Sequence, residues 1–288
     1  MPNLAQAIRA RADVSAIERK GVRVTARLSS VLREKTLHAY KTGHPVFVQE
    51  YLLRNMVPVT KAAMLAAHLR GYKQSFVQAK PHLSKALKLS RFGVFDSTIE
   101  ILRKQLSLDI DHLEAQYQTH ALRVLQDVST NVEKELRKAV NKLIERGAHQ
   151  REALKELNEA FEAQGISPKN DYQLEAIFRT QSQMAYSAGR WQADQDPAIQ
   201  EILWGYTYST VGDDRVREEH DALDGVTLPK DDSFWQRYWT PNGWNCRCQV
   251  ISVFEERAII QPSKLDDGSF PQPDKGFNFN PGEVFMAA

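Results

Sequence analysis

Cysteine is scarce: only Cys246 and Cys248 occur in the 288 residues, one residue apart. A disulfide between them would close a tiny loop in strained geometry, so a reduced pair in a reducing compartment is the simpler expectation. Long apolar runs are also missing. None approaches the roughly 20 residues that a membrane span needs. The N-terminal MPNLAQAIRARADV lacks the apolar core of a signal peptide, which predicts cytoplasmic synthesis and no membrane span. No internal repeat and no low-complexity tract interrupts the chain. With 42% hydrophobic and 26% charged residues, the composition is that of a soluble protein of one or two domains that can bury a sizeable core.

The net charge of +2 conceals an asymmetry. Residues 1–107 hold 19 Lys and Arg against 6 Asp and Glu, a surplus of +13, whereas 108–288 hold 19 against 30, a deficit of −11. A basic half suits nucleic acid or an acidic surface, and an acidic body repels DNA. Equally, the basic helices can simply be solvated, or the two halves can attract one another, because the basic residues are scattered and few aromatics lie among them.

Periodicity before residue 200 is helical. Val24, Leu28, Val31, Leu32 and Leu37 predict one amphipathic helix ending near Gly43, where His44-Pro45 breaks the pattern. Thr60 is a candidate cap for a second, striped by Leu65, Leu69 and Tyr72. The strongest stripe runs through Leu113, Tyr117, Ala121, Val124, Val128, Val132, Leu136, Val140 and Leu143 to Gly147, a proline-free helix of roughly 35 residues and about 50 Å. A shorter helix carries Leu154, Leu157 and Phe161 and stops near Gly165. Asp171 then caps one carrying Leu174, Ile177, Phe178, Met184, Ala188 and Trp191. LWGYTYST (203–210) and CRCQVISV (246–253) alternate like strands and predict a small sheet. From Gln261 onward Pro, Gly, Asp, Asn and Phe dominate without period, as in an extended arm with aromatic anchors. The fold class expected is α+β, mainly α-helical. A basic helical region (1–107) precedes a module of long helices and small sheet (108–260) and an arm (261–288).

Chemistry concentrates between Thr207 and Val253, which hold both cysteines, three of the five tryptophans and His220 four residues before Asp224. With Asp213 or Asp214 as cap and Gly225 as terminator, Arg215 to Leu223 reads as a short helix carrying Arg217, His220, Asp221 and Asp224 along one side. Strand alternation points Cys246 and Cys248 the same way. Thiolates and imidazole are preferred zinc ligands, so His220, Cys246 and Cys248 could bind Zn²⁺, although the usual Cys-x₂₋₄-Cys spacing is absent and a fourth ligand, Asp224 or His149, is not obvious. By residue type Cys246, His220 and Asp224 also match a nucleophile, base and orienting acid. Against a hydrolase, no glycine loop for an oxyanion hole is visible. The structural alternative makes His220 and Asp224 a polar pair, joins Arg217 or Arg247 to a carboxylate, and packs Trp235, Tyr238, Trp239 and Trp244 between loop and helix. On that reading there are no catalytic residues and no cofactor, and the motif is a folding module.

Asp214-Arg215-Val216-Arg217, His220, Leu223-Asp224-Gly225, Pro241 and Asn245-Cys246-Arg247-Cys248 stand in the order found in the phage Mu F-like head-morphogenesis family of minor capsid proteins, which this chain resembles. AIFRTQSQMAYSAGRW (176–191) is similar to the helix that precedes the motif in that family. It has Arg179-Thr180-Gln181 where members often have Arg-Thr-Glu, which argues against an acid–base role there. The likeness covers roughly 112–253, with an echo in FNFNPG (277–282). It implies a virion protein at the portal vertex and capsid interior, made in the host cytoplasm, acting in head assembly or DNA delivery without enzymatic activity. The implied partners are portal protein and capsid components, with packaged double-stranded DNA as a further partner. Some members carry fused toxin domains, for which the roughly 35 residues after the motif leave no room. A metal-dependent nuclease or other nucleic-acid enzyme using the His/Asp and CxC groups is the alternative.

Overall fold

A computed structural model describes residues 16–19, 22–24, 26–36, 38, 48–89, 110–145, 150–164 and 172–286. Four helices account for most of them: α1 (Val48–Leu89), α2 (Ile110–Glu145), α3 (Gln150–Ala163) and α4 (Tyr172–Asp194). Short helices α5 (Pro197–Ile202), α6 (Glu218–Asp221), α7 (Phe234–Arg237) and α8 (Pro281–Met286) follow, interleaved with β1 (Gly205–Ser209), β2 (Thr227–Pro229) and β3 (Gln249–Val253). The fold is α+β and mainly helical, as expected. No described helix is long and apolar enough to cross a membrane.

The chain forms two compact units, one from Glu18–Ala63 with Glu114–Arg179, the other from Met1–Ile17, Met64–Leu113 and Thr180–Ala288. Both draw residues from either side of position 107. The described residues of the first unit are almost all helical, and its core joins Leu32, Val48, Leu52, Met56 and Val57 to Ala121, Leu125, Val132, Leu136, Phe161 and Ile177. The apolar positions of α2 recur every four or seven residues, which keeps them on one face and makes the whole 36-residue helix, about 54 Å long, amphipathic. Polar contacts ring this core: the Lys61 ammonium meets the Glu114 carboxylate at 2.6 Å, and the Gln49 amide N–H donates to Glu133 Oε2 at 2.5 Å. Thr60 starts no helix. It lies buried inside α1, which begins twelve residues earlier because Val48, Leu52 and Met56 gain a core to pack against. Gly43, His44, Gly147, Gly165 and Asp171, named as breaks or caps, lie outside the described residues, as does His149.

In the second unit, α1 and α4 approach until backbone meets backbone. A Cβ on Gly71 would stand 2.0 Å from the Tyr186 carbonyl oxygen, and one on Gly189 2.0 Å from that of His68. His68 Nε2 donates to Gln192 Oε1 (2.6 Å) beside this crossing. The sheet is antiparallel, ordered β2-β1-β3, with Tyr206 opposite Leu228 and Ser252 and Tyr208 opposite Val250. β3 is buried along its whole length, so both of its faces are covered. Tyr206, Trp235 and Trp239 pack edge to face, with centroids 4.9 to 6.3 Å apart, and the two indoles donate to the carbonyls of Pro229 and Ser187. Trp244 departs from the expected packing: it is 46% exposed, its ring edge against Phe277.

The arm beyond residue 260 is largely extended but closes with α8. Ile260 bridges Thr227 on the outer edge of β2, and Phe277, Asn280 and Phe285 are buried. Tyr238 donates its hydroxyl to the Pro271 carbonyl, and the Asp274 N–H donates to that of Asn242.

Candidate functional site

The segment after β1 turns tightly because the Asp213 carboxylate accepts the Arg215 N–H at 3.1 Å. Arg247 then grips the same carboxylate through two hydrogen bonds of 2.6 and 2.5 Å. That fork holds the Asp213 carboxyl well below the usual carboxylate range and raises Arg247. Arg217 is extended, so the expected helix from Arg215 to Leu223 shrinks to the single turn of α6. Asp213 serves Arg247 as well as its local turn, and Asp214 and Arg215 are exposed.

His220, on α6, is buried and faces two sulfurs. Its Nδ1 lies 3.7 Å from Cys246 Sγ and 3.6 Å from Cys248 Sγ. Arg217 Nη1 stands 3.4 Å from His220 Nε2. A guanidinium only donates, so this contact makes Nε2 the acceptor and leaves the ring proton on Nδ1, directed at the sulfurs. Arg217 also donates to the Trp244 carbonyl and approaches Asp274 Oδ2 at 3.5 Å. The cysteines are free thiols in a turn fixed from two sides. Asn245 adopts φ +57°, its N–H donating to Thr180 Oγ1 (3.0 Å), and Gln183 Nε2 donates to the Cys248 carbonyl (3.1 Å). Burial alone would raise both thiols, but hydrogen bonds from Cys248 and His220 outweigh it and hold Cys246 well below its ordinary value. The hydrogen bond from the Cys246 sulfur, together with burial, in turn pushes Cys248 well above its ordinary value.

The expected set is therefore brought together in part. His220, Cys246, Cys248 and Arg217 converge, and Arg247 meets a carboxylate as expected. Asp224 does not join His220: both ring nitrogens are engaged elsewhere, and Asp224 Oδ1 accepts the Thr210 N–H at 2.7 Å. Gly225, at φ +78°, does end the turn and passes its N–H to the Tyr208 carbonyl. The nucleophile–base–acid arrangement is thus not assembled, since the acid is used to fix backbone. Arg179 is exposed and paired with Glu175 one helical turn earlier.

Sequence reasoning missed the contributions of Thr180, Gln183, Tyr208, Asn242 and Asp274. Tyr208 donates its hydroxyl to Asn242 Oδ1 (2.9 Å) and also contacts Cys248. A signal existed in α4, where Thr180, Gln181, Ser182, Gln183 and Ser187 interrupt a continuously buried stretch. Polar residues so placed call for specific partners. The same helix holds a buried Arg190, which donates to Gln78 Oε1 (2.7 Å), and Asp194, whose carboxyl burial pushes up to about 6. A polar cleft of about 250 Å³ between Trp191, Tyr206, Lys230 and Trp235 is lined by none of the motif residues.

Residues 134–251 match the family described as Phage Mu protein F like protein. The chain is 30% identical over 178 residues to the "Putative capsid assembly protein F" of Escherichia phage Mu, covering 56% of this chain and 40% of that protein. It is 32% identical over 132 residues to the "Mu-like prophage FluMu F protein" of Haemophilus influenzae, covering 42% of this chain and 31% of the relative. The chain thus spans less than half the length of these curated relatives. No solved structure matches it. The matched stretch takes in the Arg217–His220 turn and the Asn245–Cys248 turn that close on one another, and over it the chain is similar to the Phage Mu protein F like family.

Proposed function

We propose that the chain acts in capsid assembly as a minor head protein of a phage or prophage, docked at the portal vertex and made in the host cytoplasm. The reading rests on the likeness to the Mu and Haemophilus F proteins. One structural observation carries its non-enzymatic side: His220, Asp224 and Arg247 are each engaged within the fold. His220 serves Arg217 and the sulfurs, Asp224 serves Thr210, and Arg247 serves Asp213. A nuclease would need such groups at an open cleft, whereas His220, Cys246 and Cys248 are all buried. The basic surplus in residues 1–107 suits contact with packaged DNA. Isolating heads and probing for this chain tests the assembly reading. Co-purification with the portal oligomer at fixed stoichiometry is expected; heads that assemble with full genome content and lack the chain would refute it. Binding of the full chain to duplex DNA should weaken steeply with salt, and a salt-independent signal would remove DNA from the partners.

A further inference from the structure

We propose that His220, Cys246 and Cys248 form a zinc site. The three ligand atoms lie within 4.8 Å of one another, all on buried side chains. Zinc bonds thiolate at about 2.3 Å and imidazole at about 2.0–2.1 Å, and tetrahedral angles between such bonds set each N···S edge at about 3.6 Å. The two edges here are 3.7 and 3.6 Å. A hydrogen bond explains one such distance but not the pair, because a single Nδ1–H has one direction and two sulfurs compete for it. A cation inside the triangle satisfies all three donors at once. The chemistry agrees, since two soft sulfurs and an imidazole select zinc over magnesium or calcium.

Metal on Nδ1 moves the ring proton to Nε2, which then needs an acceptor. Arg217 Nη1, at 3.4 Å, cannot serve as one, but the Asp274 carboxylate lies 3.5 Å from that same guanidinium nitrogen. In the metal-bound form the arginine yields and Asp274 takes the Nε2–H, the carboxylate–histidine–zinc relation that orients many such ligands. Among the described residues no fourth His, Cys, Asp or Glu joins the cluster, so a water molecule completes the tetrahedron.

The test uses the full chain, purified without chelator, with metal content measured by plasma mass spectrometry. About one equivalent of zinc is expected. Cobalt replacing it should give the intense visible bands of a tetrahedral ion and a thiolate charge-transfer band. Asp274→Asn, outside the ligand set, should fold normally and weaken zinc binding roughly 10-fold or more. Cys246→Ser and Cys248→Ser should each abolish the cobalt charge-transfer intensity in part and the stoichiometric binding altogether. Because a serine variant can fail to fold, the wild-type chain supplies the deciding measurement. If it holds no zinc, gains no melting temperature on zinc addition and gives only the weak spectrum of octahedral cobalt, there is no such site. A tetrahedral cobalt spectrum that persists in the folded double serine variant would equally overturn the assignment.

Discussion

Glycine in the middle of a helix ordinarily costs about 0.5–1 kcal/mol relative to alanine, so Gly→Ala in α4 should stabilise the chain if propensity alone decided. At Gly189 the opposite is expected. The added Cβ would stand 2.0 Å from the His68 carbonyl oxygen and 3.0 Å from its Cα, and real Cβ atoms essentially never come within 3.0 Å of a neighbour. The obstacle is backbone, which cannot swing aside as a side chain can. Relief requires α1 and α4 to part by about 1 Å, which lengthens the 2.6 Å His68–Gln192 hydrogen bond and the 2.7 Å Arg190–Gln78 hydrogen bond beside it. Overpacking of this kind costs about 1–3 kcal/mol, and the propensity gain offsets less than about 1. The net loss is about 1–2 kcal/mol, a fall of roughly 2–8 °C in melting temperature for a domain of this size. Thermal unfolding followed by far-ultraviolet circular dichroism measures it. Gly71→Ala should behave alike, and the double variant should lose less than the sum, because helices already parted admit the second methyl more easily. A Gly189→Ala protein that melts at or above the parent temperature would refute the close crossing.

Val132→Pro removes a hydrogen bond from the interior of α2 and forces a clash at a fully buried position, so a loss of about 3 kcal/mol or more and a reduced helical signal are expected; an unchanged spectrum would mean α2 is not continuous there. Asp194 titrates at about 6 in the folded chain against 3.8 unfolded, because burial penalises its charge. The native state therefore binds the extra proton between those values, and stability present below pH 4 is lost as pH rises through 6, by at most about 3 kcal/mol. Asp194→Asn should flatten that fall in denaturant titrations across pH, and an identical pH profile in the variant would contradict it. Thr180→Val leaves the half-buried Asn245 N–H without its acceptor and should cost about 1 kcal/mol; a melting temperature within error of the parent would mean that N–H has another partner.

The helical half of the chain was legible because its signal is local. The stripe from Leu113 to Leu143 lies inside Ile110–Glu145, and the stripe through Leu174 and Trp191 inside Tyr172–Asp194. The two alternating segments do pair as β1 and β3, whereas β2 escaped notice because Thr227–Pro229 is too short to alternate. At the motif, residue type pointed to His220 with the two cysteines, and the fold places these three side chains side by side. The spacing of His220 and Asp224 misled, because i,i+4 proximity has meaning only inside a helix, and α6 ends at Asp221. What curtails it is remote in sequence: Arg247 claims Asp213 from 34 residues away. The part played by Asp274 was equally invisible, since a lone acid in an aperiodic arm carries no signal of its partner.

The arm's return to the motif gives the chain an order of events during synthesis. The family match ends at residue 251, yet Arg217 and Trp244 are met by Asp274 and Phe277. At translation rates of about 5–20 residues per second, roughly 2–7 s separate the emergence of Trp244 from that of Phe277. During that interval the two thiols and the histidine have been made but lack their final cover. The ribosome thus grants the nascent chain a timed opening through which solvent, chaperones or a metal ion can reach groups that the finished protein hides.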